Sequence, residues 1–213
     1  INLALRLAHD FVERIISDPI CTSQVFSSFE MDQLCLNIGR RNLDNLTVPE
    51  RQSSSKLEKR STIVYVASRL QRSGGHSRLI QDFIRSQPEK NHLILSTEIG
   101  GCSDIEFFSD LFGNKENVRF LRAPSENFHA RLNWLQSTLL SIQPNQTYLF
   151  NHHQDSVAVS ALVPELDLIG SFCHHGDHHL CLGVTMCHLK HIDFHPMGFH
   201  HCRNTLEIEN IYL

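Results

Sequence analysis

The sequence predicts an α/β fold, a doubly wound parallel sheet with an N-terminal helical extension. Three observations lead there. From about residue 61 onward, short β-branched runs alternate with longer amphipathic ones, the pattern that right-handed βαβ crossovers and a sheet covered on both faces require. Ahead of them, apolar residues recur at helical rather than strand spacing. Between the two patterns, Thr47 to Lys56 is polar and rich in serine, as expected of a linker or exposed loop. The domain division is therefore 1–56, helical extension and linker, and 57–213, the α/β domain.

Taken in order, Leu3, Leu7, Phe11 and Ile15 predict a first helix, and Phe29, Leu34, Leu36 and Ile38 a second beyond the break at Pro19. Thr62 to Ser68 reads as a buried strand, followed by a helix near His76 to Ser86 with Leu79, Ile80 and Phe83 on one face. His92 to Ser96 is the second strand, with a helix near Asp104 to Phe112, and Asn117 to Leu121 is the third. A helix near Asn127 to Ile142 turns Leu132, Leu135 and Leu139 inward, with Trp134 packed beside them. Gln146 to Phe150, Leu168 to Cys173 and Ile192 to Phe194 supply the remaining strands. In such sheets ligands bind beyond the carboxyl ends of the strands, so the loops that follow strands are where chemistry is expected.

Composition narrows the function. A net charge of -4 and a pI near 6.4 give no basic field for phosphate backbones, and no nucleic-acid partner is expected. No run approaches the roughly 18 to 20 apolar residues of a membrane span, and residues 1–11 carry Arg6, His9 and Asp10 rather than a secretory leader. Seven cysteines without a Cys-x-x-Cys pair argue against a disulfide framework and for a reducing, cytoplasmic setting. A start at Ile1 and an end at Leu213 suggest a piece of a longer chain. Of fifteen histidines, eleven fall between His152 and His201, which marks the C-terminal part as the place for special chemistry.

Three strand-end loops carry that chemistry. The first strand runs into Ser73-Gly74-Gly75-His76-Ser77-Arg78, where adjacent glycines let backbone N–H groups approach a ligand and the next helix N-terminus favours an anion. The loop lacks the third glycine of a dinucleotide fingerprint and the Gly-Lys-Ser/Thr of a P-loop, so neither NAD nor ATP is supported. Ser73 and Ser77 read as helix caps rather than nucleophiles, and Arg78 as either a phosphate contact or a bridge to an acidic neighbour. After the fourth strand stands Asn151-His152-His153-Gln154-Asp155-Ser156, and after the fifth Cys173-His174-His175-Gly176-Asp177-His178-His179. Imidazoles there can act as base, donor or metal ligand. Farther on, His195, His200 and His201 are further candidates for the cleft, with His200 and His201 expected to open the last helix. The acidic stretch from Glu98 to Glu106 reads as a solvated loop.

On these residues the chain resembles the N-terminal, Rossmann-like half of two-domain (GT-B type) glycosyltransferases, especially the retaining, glycogen-synthase-like family. Ser73 to Arg78 looks like the Gly-Gly-x-x-Arg loop of that family, Phe172 to Gly183 is similar to its segment after the fifth strand, and Leu206 to Leu213 to the run leading toward the donor domain. The resemblance covers roughly residues 61 to 213. It implies that Gly74 and Gly75, with His76 and Arg78 beside them, face the donor phosphates. It further implies that His174, His175 or Asp177 serves the reacting sugar or acceptor, and that His152, His153, Asp155, His178, His179 and His195 line the acceptor side. The partners would then be a nucleotide sugar and an acceptor glycan, lipid or protein. No cofactor is needed, and the C-terminal donor domain is absent from this chain. The alternative is a zinc hydrolase similar to metallo-β-lactamase-like enzymes, with Cys173-His174-His175-Gly176-Asp177-His178 as its ligand run and bound water as nucleophile. A sugar- or peptide-binding module without catalysis is the third class.

Overall fold

The computed structural model describes residues 1–46, 61–176 and 178–213; the expected linker from Thr47 to Lys56 and the candidate Asp177 lie outside the described residues. Seven parallel strands form one sheet: β1 (Thr62–Ala67), β2 (Asn91–Ser96), β3 (Val118–Arg122), β4 (Gln146–Phe150), β5 (Gly170–His174), β6 (Lys190–Asp193) and β7 (Asn210–Tyr212). Their order, β3-β2-β1-β4-β5-β6-β7, reverses between β1 and β4. This is the Rossmann-like, doubly wound arrangement that the alternating pattern predicts, and the reversal opens a crevice at the carboxyl ends of β1 and β4.

Both faces of the sheet are covered. Along β1, Ile63, Tyr65 and Ala67 enter one layer with Ile80 and Ile84 of helix α3 (Gly75–Ser86) and Phe112 of α4 (Ile105–Phe112). The alternate residues Val64 and Val66 enter the other, with Leu132, Leu135 and Leu139 of α5 (Phe128–Ile142) and Val157 to Ala161 of α6 (Ser156–Ala161). A two-residue period thus feeds two cores, which is why the central strands read as nearly continuous apolar runs. Trp134 packs against the second core.

The N-terminal helices α1 (Asn2–Ser17) and α2 (Phe29–Leu43) join that second core rather than standing apart from it. Helix α1 forms where the periodicity placed it, but with another face inward: Leu5, Ala8 and Val12 are buried, while Leu3, Leu7 and Phe11 are exposed. The small residues of α6 decide this. They admit α1 closely enough for Ser156 Oγ to donate to Leu5 O at 2.8 Å. Gly39 of α2 likewise meets α6 so closely that a Cβ there would collide with Ser160 O, and its own carbonyl accepts from Gln136 Nε2 of α5 at 3.1 Å. The buried carboxylate of Asp32 takes Gly183 N at 2.6 Å and Thr185 N and Oγ1 at 2.9 and 2.7 Å, which pins the segment after β5 onto α2.

Three further expectations change in the structure. Ser73 and Ser77 do not cap α3: Gly74 occupies the N-cap without a side-chain bond, and Ser77 Oγ instead accepts from Gln71 N at 2.9 Å. The last helix, α7 (Pro196–Asn204), opens at Pro196, whose missing N–H costs nothing at that position, so His200 and His201 lie within it. Glu98 is buried rather than solvated, since Arg122 grips it from β3 at 2.7 and 3.0 Å and Ser96 and Ser103 donate at 2.6 Å. In the same acidic stretch Asp104 caps α4, accepting from Phe107 N at 2.8 Å. No helix among the described residues is long and apolar enough to cross a membrane.

Candidate functional site

Beyond the carboxyl ends of β1, β4 and β5 lies a cleft of about 340 Å³. It is where the strand order reverses, and the three strand-end loops singled out in the sequence meet in it. The loop after β1 brings Gly74, Gly75 and His76; the loop after β4 brings His152 and His153; the segment after β5 brings His175 and His178, and His195 joins from beyond β6. Arg69 also lines it, tethered by Nη1 to Gly100 O at 2.6 Å, and is the only Lys or Arg in its wall among the described residues.

The imidazoles form a contiguous group. His76 lies with its ring 5.7 Å from that of His152 and 5.2 Å from that of His175, which in turn lies 5.1 Å from His195. His153 faces His178 and His179 at 6.2 and 5.7 Å. Two glycines make the approach possible: a Cβ on Gly75 would overlap the His175 ring, and one on Gly176 the His153 ring. Among the described residues His153 Nε2 is buried with no hydrogen-bond partner.

Burial keeps four of these rings neutral. Burial pushes His76 down to about 3, helped by the neighbouring His152, His175 and His153. His153 falls to about 4, again through burial first and then His179 and His178. Burial also lowers His152 and His179, the latter with help from His178. At pH 7 such rings offer one N–H donor and one bare nitrogen each, suited to hydroxyl groups rather than to a cationic role.

His200 and His201, within α7, do not line the cleft, and neither do four other expected site residues. Arg78 is exposed and bridges Asp82 at 3.7 Å. Asp155 is fully buried: Oδ2 accepts from Ser68 Oγ and Thr97 Oγ1, both at 2.6 Å, and Oδ1 caps α6 through Ala158 N at 2.9 Å. It serves as a brace, because Ser68 Oγ also accepts from His152 N at 2.7 Å and so fixes the loop that presents the cleft imidazoles. His179 stands behind His153 and His178. His174 faces away from the cleft, into a buried group with His191, Asp193 and Cys202 whose ligand-type atoms all lie within 4.8 Å of one another.

The pleat of β5 explains that last placement. Successive side chains point to opposite faces, so Cys173 enters the layer with Tyr65 and Phe150 while His174 stacks over Phe172 in the other. Cys173, His174 and His175 are therefore not gathered around one point, and the ligand run of the zinc-hydrolase alternative is dispersed. Arg69, Asp193 and Cys202 were not singled out in the sequence. Arg69 is visible only as one of three arginines near the loop, and the others are united by register and by the return of α7. No protein-family model matches the chain, and a search of curated proteins finds no match.

Proposed function

We propose that the chain is the acceptor-side half of a cytoplasmic two-domain glycosyltransferase, and that its histidine-lined cleft receives the acceptor hydroxyl. The observation that carries this reading is the convergence of three strand-end loops on one cleft at the reversal of the sheet, where burial keeps His76 and His153 neutral at pH 7. Neutral imidazoles match a polyhydroxylated ligand, donating and accepting at once. The N-terminus of α3, without a side-chain cap, and Arg69 supply the positive end of the same cleft, where the donor diphosphate would lie.

The chemistry asked of this half is limited. The acceptor oxygen forms a bond to the anomeric carbon as the bond from that carbon to the diphosphate oxygen breaks. Neutral cleft imidazoles orient the acceptor hydroxyl, its proton passes to the departing diphosphate oxygen, and the nucleoside diphosphate leaves. A second Rossmann-like domain would hold most of the sugar nucleotide and the groups that neutralise the leaving diphosphate. The zinc-hydrolase reading loses ground because Cys173 and His174 face opposite layers.

Titration of the chain with nucleoside diphosphates and a panel of saccharides, followed by NMR of the imidazole protons, tests the reading. Shifts confined to His76, His152, His153 and His175 are expected, weakened at least tenfold by Gly75→Val, whose side chain would displace His175. In the enzyme carrying its donor domain, His153→Ala should cut transfer by about 10²-fold through lost positioning of the acceptor. No shift with any of these ligands would overturn the proposal.

A further inference from the structure

The second histidine group lies behind β5, outside the cleft, and the cleft chemistry does not use it. In the parallel pairing of β5 with β6, Phe172 stands opposite His191 and His174 opposite Asp193, so His174, His191 and Asp193 share a face. Helix α7 returns across that face and adds Cys202. All four side chains are buried. Asp193 Oδ1 lies 2.8 Å from His174 Nδ1 and 3.4 Å from His191 Nε2, and Cys202 Sγ lies 3.7 Å from His174 Nδ1.

Those spacings are close to the ones a tetrahedral zinc imposes. With zinc bound to nitrogen and oxygen at about 2.0–2.2 Å and to sulfur at about 2.3 Å, ligand atoms sit roughly 3.3–3.6 Å apart, so shifts of about 1 Å complete the shell. The outer partners are already in place. His174 Nε2 donates to Gly176 O at 3.0 Å, which leaves Nδ1 as the coordinating nitrogen. Asp193 Oδ2 is occupied by Asn210 Nδ2 at 2.6 Å, which leaves Oδ1 toward the imidazoles. Asn210 is itself held, donating to Phe199 O at 2.9 Å and accepting from Arg203 Nε at 3.1 Å.

Charge points the same way. One carboxylate and one thiolate carry two negative charges, which a divalent ion cancels in a site closed to water. Thiolate and imidazole ligands select zinc over magnesium or calcium. We propose that His174, His191, Asp193 and Cys202 bind one structural zinc ion, which clamps β5, β6 and α7 and thereby fixes the segment presenting His175 and His178 to the cleft. Cys202 gives up its S–H proton to solvent as the zinc–sulfur bond forms, and four protein ligands leave no position for a reactive water.

The test is metal analysis of the whole chain, prepared without an oligohistidine tag and dialysed against a weak chelator. One zinc per chain is expected. Replacing it by cobalt should give the thiolate-to-metal charge-transfer band and the intense visible bands of a tetrahedral site. Cys202→Ser should abolish the charge-transfer band, His191→Gln should weaken binding at least tenfold, and His200→Gln on the exposed side of α7 should change neither. A folded wild-type chain that retains no metal would overturn the proposal. So would zinc that persists in the Cys202→Ser/His191→Gln double variant, which would place it on cleft or surface histidines. If Cys202→Ser does not fold, X-ray absorption of the wild-type zinc edge decides: one sulfur with three nitrogen or oxygen neighbours supports the site, and a shell without sulfur sinks it.

Discussion

The open cleft and the closed group behind it contain consecutive residues of one strand end, His175 and His174, yet they hold their imidazoles in opposite ways. In the closed group each ring is matched to a carboxylate oxygen, with Asp193 between His174 and His191. In the cleft, among the described residues, His76 and His153 face other imidazoles across a solvent-accessible crevice, and burial keeps them neutral. The difference teaches that histidine density does not define a site. The partner brought by the fold defines it: a carboxylate makes a fixed polar centre, and a set of neutral rings makes a surface open to a ligand.

Removing the acid on which each region depends should affect the two regions unequally. Asp193→Ala takes away the one oxygen shared by two imidazoles and leaves both buried without it. The loss of stability should be about 3–5 kcal/mol, measured by urea denaturation. A loss under about 1 kcal/mol would mean that the closed group is not an electrostatic centre. Asp155→Ala should cost less, about 2–3 kcal/mol, since it removes a helix cap and strands the hydroxyls of Ser68 and Thr97, which can turn to other acceptors. Its effect on the cleft sharpens the contrast: ligand-induced shifts of His152 should weaken even where the variant remains folded.

The parts of this arrangement that local pattern encodes were legible in the sequence. Strand β1 was expected at Thr62 to Ser68 and runs from Thr62 to Ala67, and α5 was expected at Asn127 to Ile142 and starts at Phe128 behind its Asn127 cap. Helix α6 was not legible, because all six of its residues are buried and an element apolar on every side carries no periodic signal. Strand β7 spans only three residues. For the site, the convergence of three loops followed from the alternation of strands and helices alone. The side each residue faces did not, because Cys173, His174 and His175 are contiguous in sequence and only the register of β5 on β6 sends His174 inward. Glu98 was misread for a related reason, as its partner Arg122 arrives from a different strand.

Acid should separate the two regions most finely. An unfolded histidine takes up a proton near pH 6.5, whereas folded His76 and His153 do so only near 3 and 4. Between those values the unfolded chain binds more protons than the folded one, so the free energy of unfolding rises with pH and stability is lost as pH falls below about 6.5. The titratable groups that act on His76 are His152, His153 and His175, and those that act on His153 are His152, His174 from behind β5, His178 and His179. Those contributions come from other imidazoles, which add repulsion on protonation and steepen the loss. Buried His92 and half-buried His188 are lowered as well, so the wild-type slope is not specific to the cleft. The informative quantity is the difference between wild type and the His76→Gln/His153→Gln variant in urea midpoint from about pH 7.5 to about pH 5, above the range where carboxylates titrate. Wild type should lose stability more steeply than the variant, and the two curves should run parallel above pH 7. Equal slopes throughout would mean that the cleft imidazoles protonate freely in the folded chain, and the account of the cleft as a surface of neutral His76 and His153 rings would then fail.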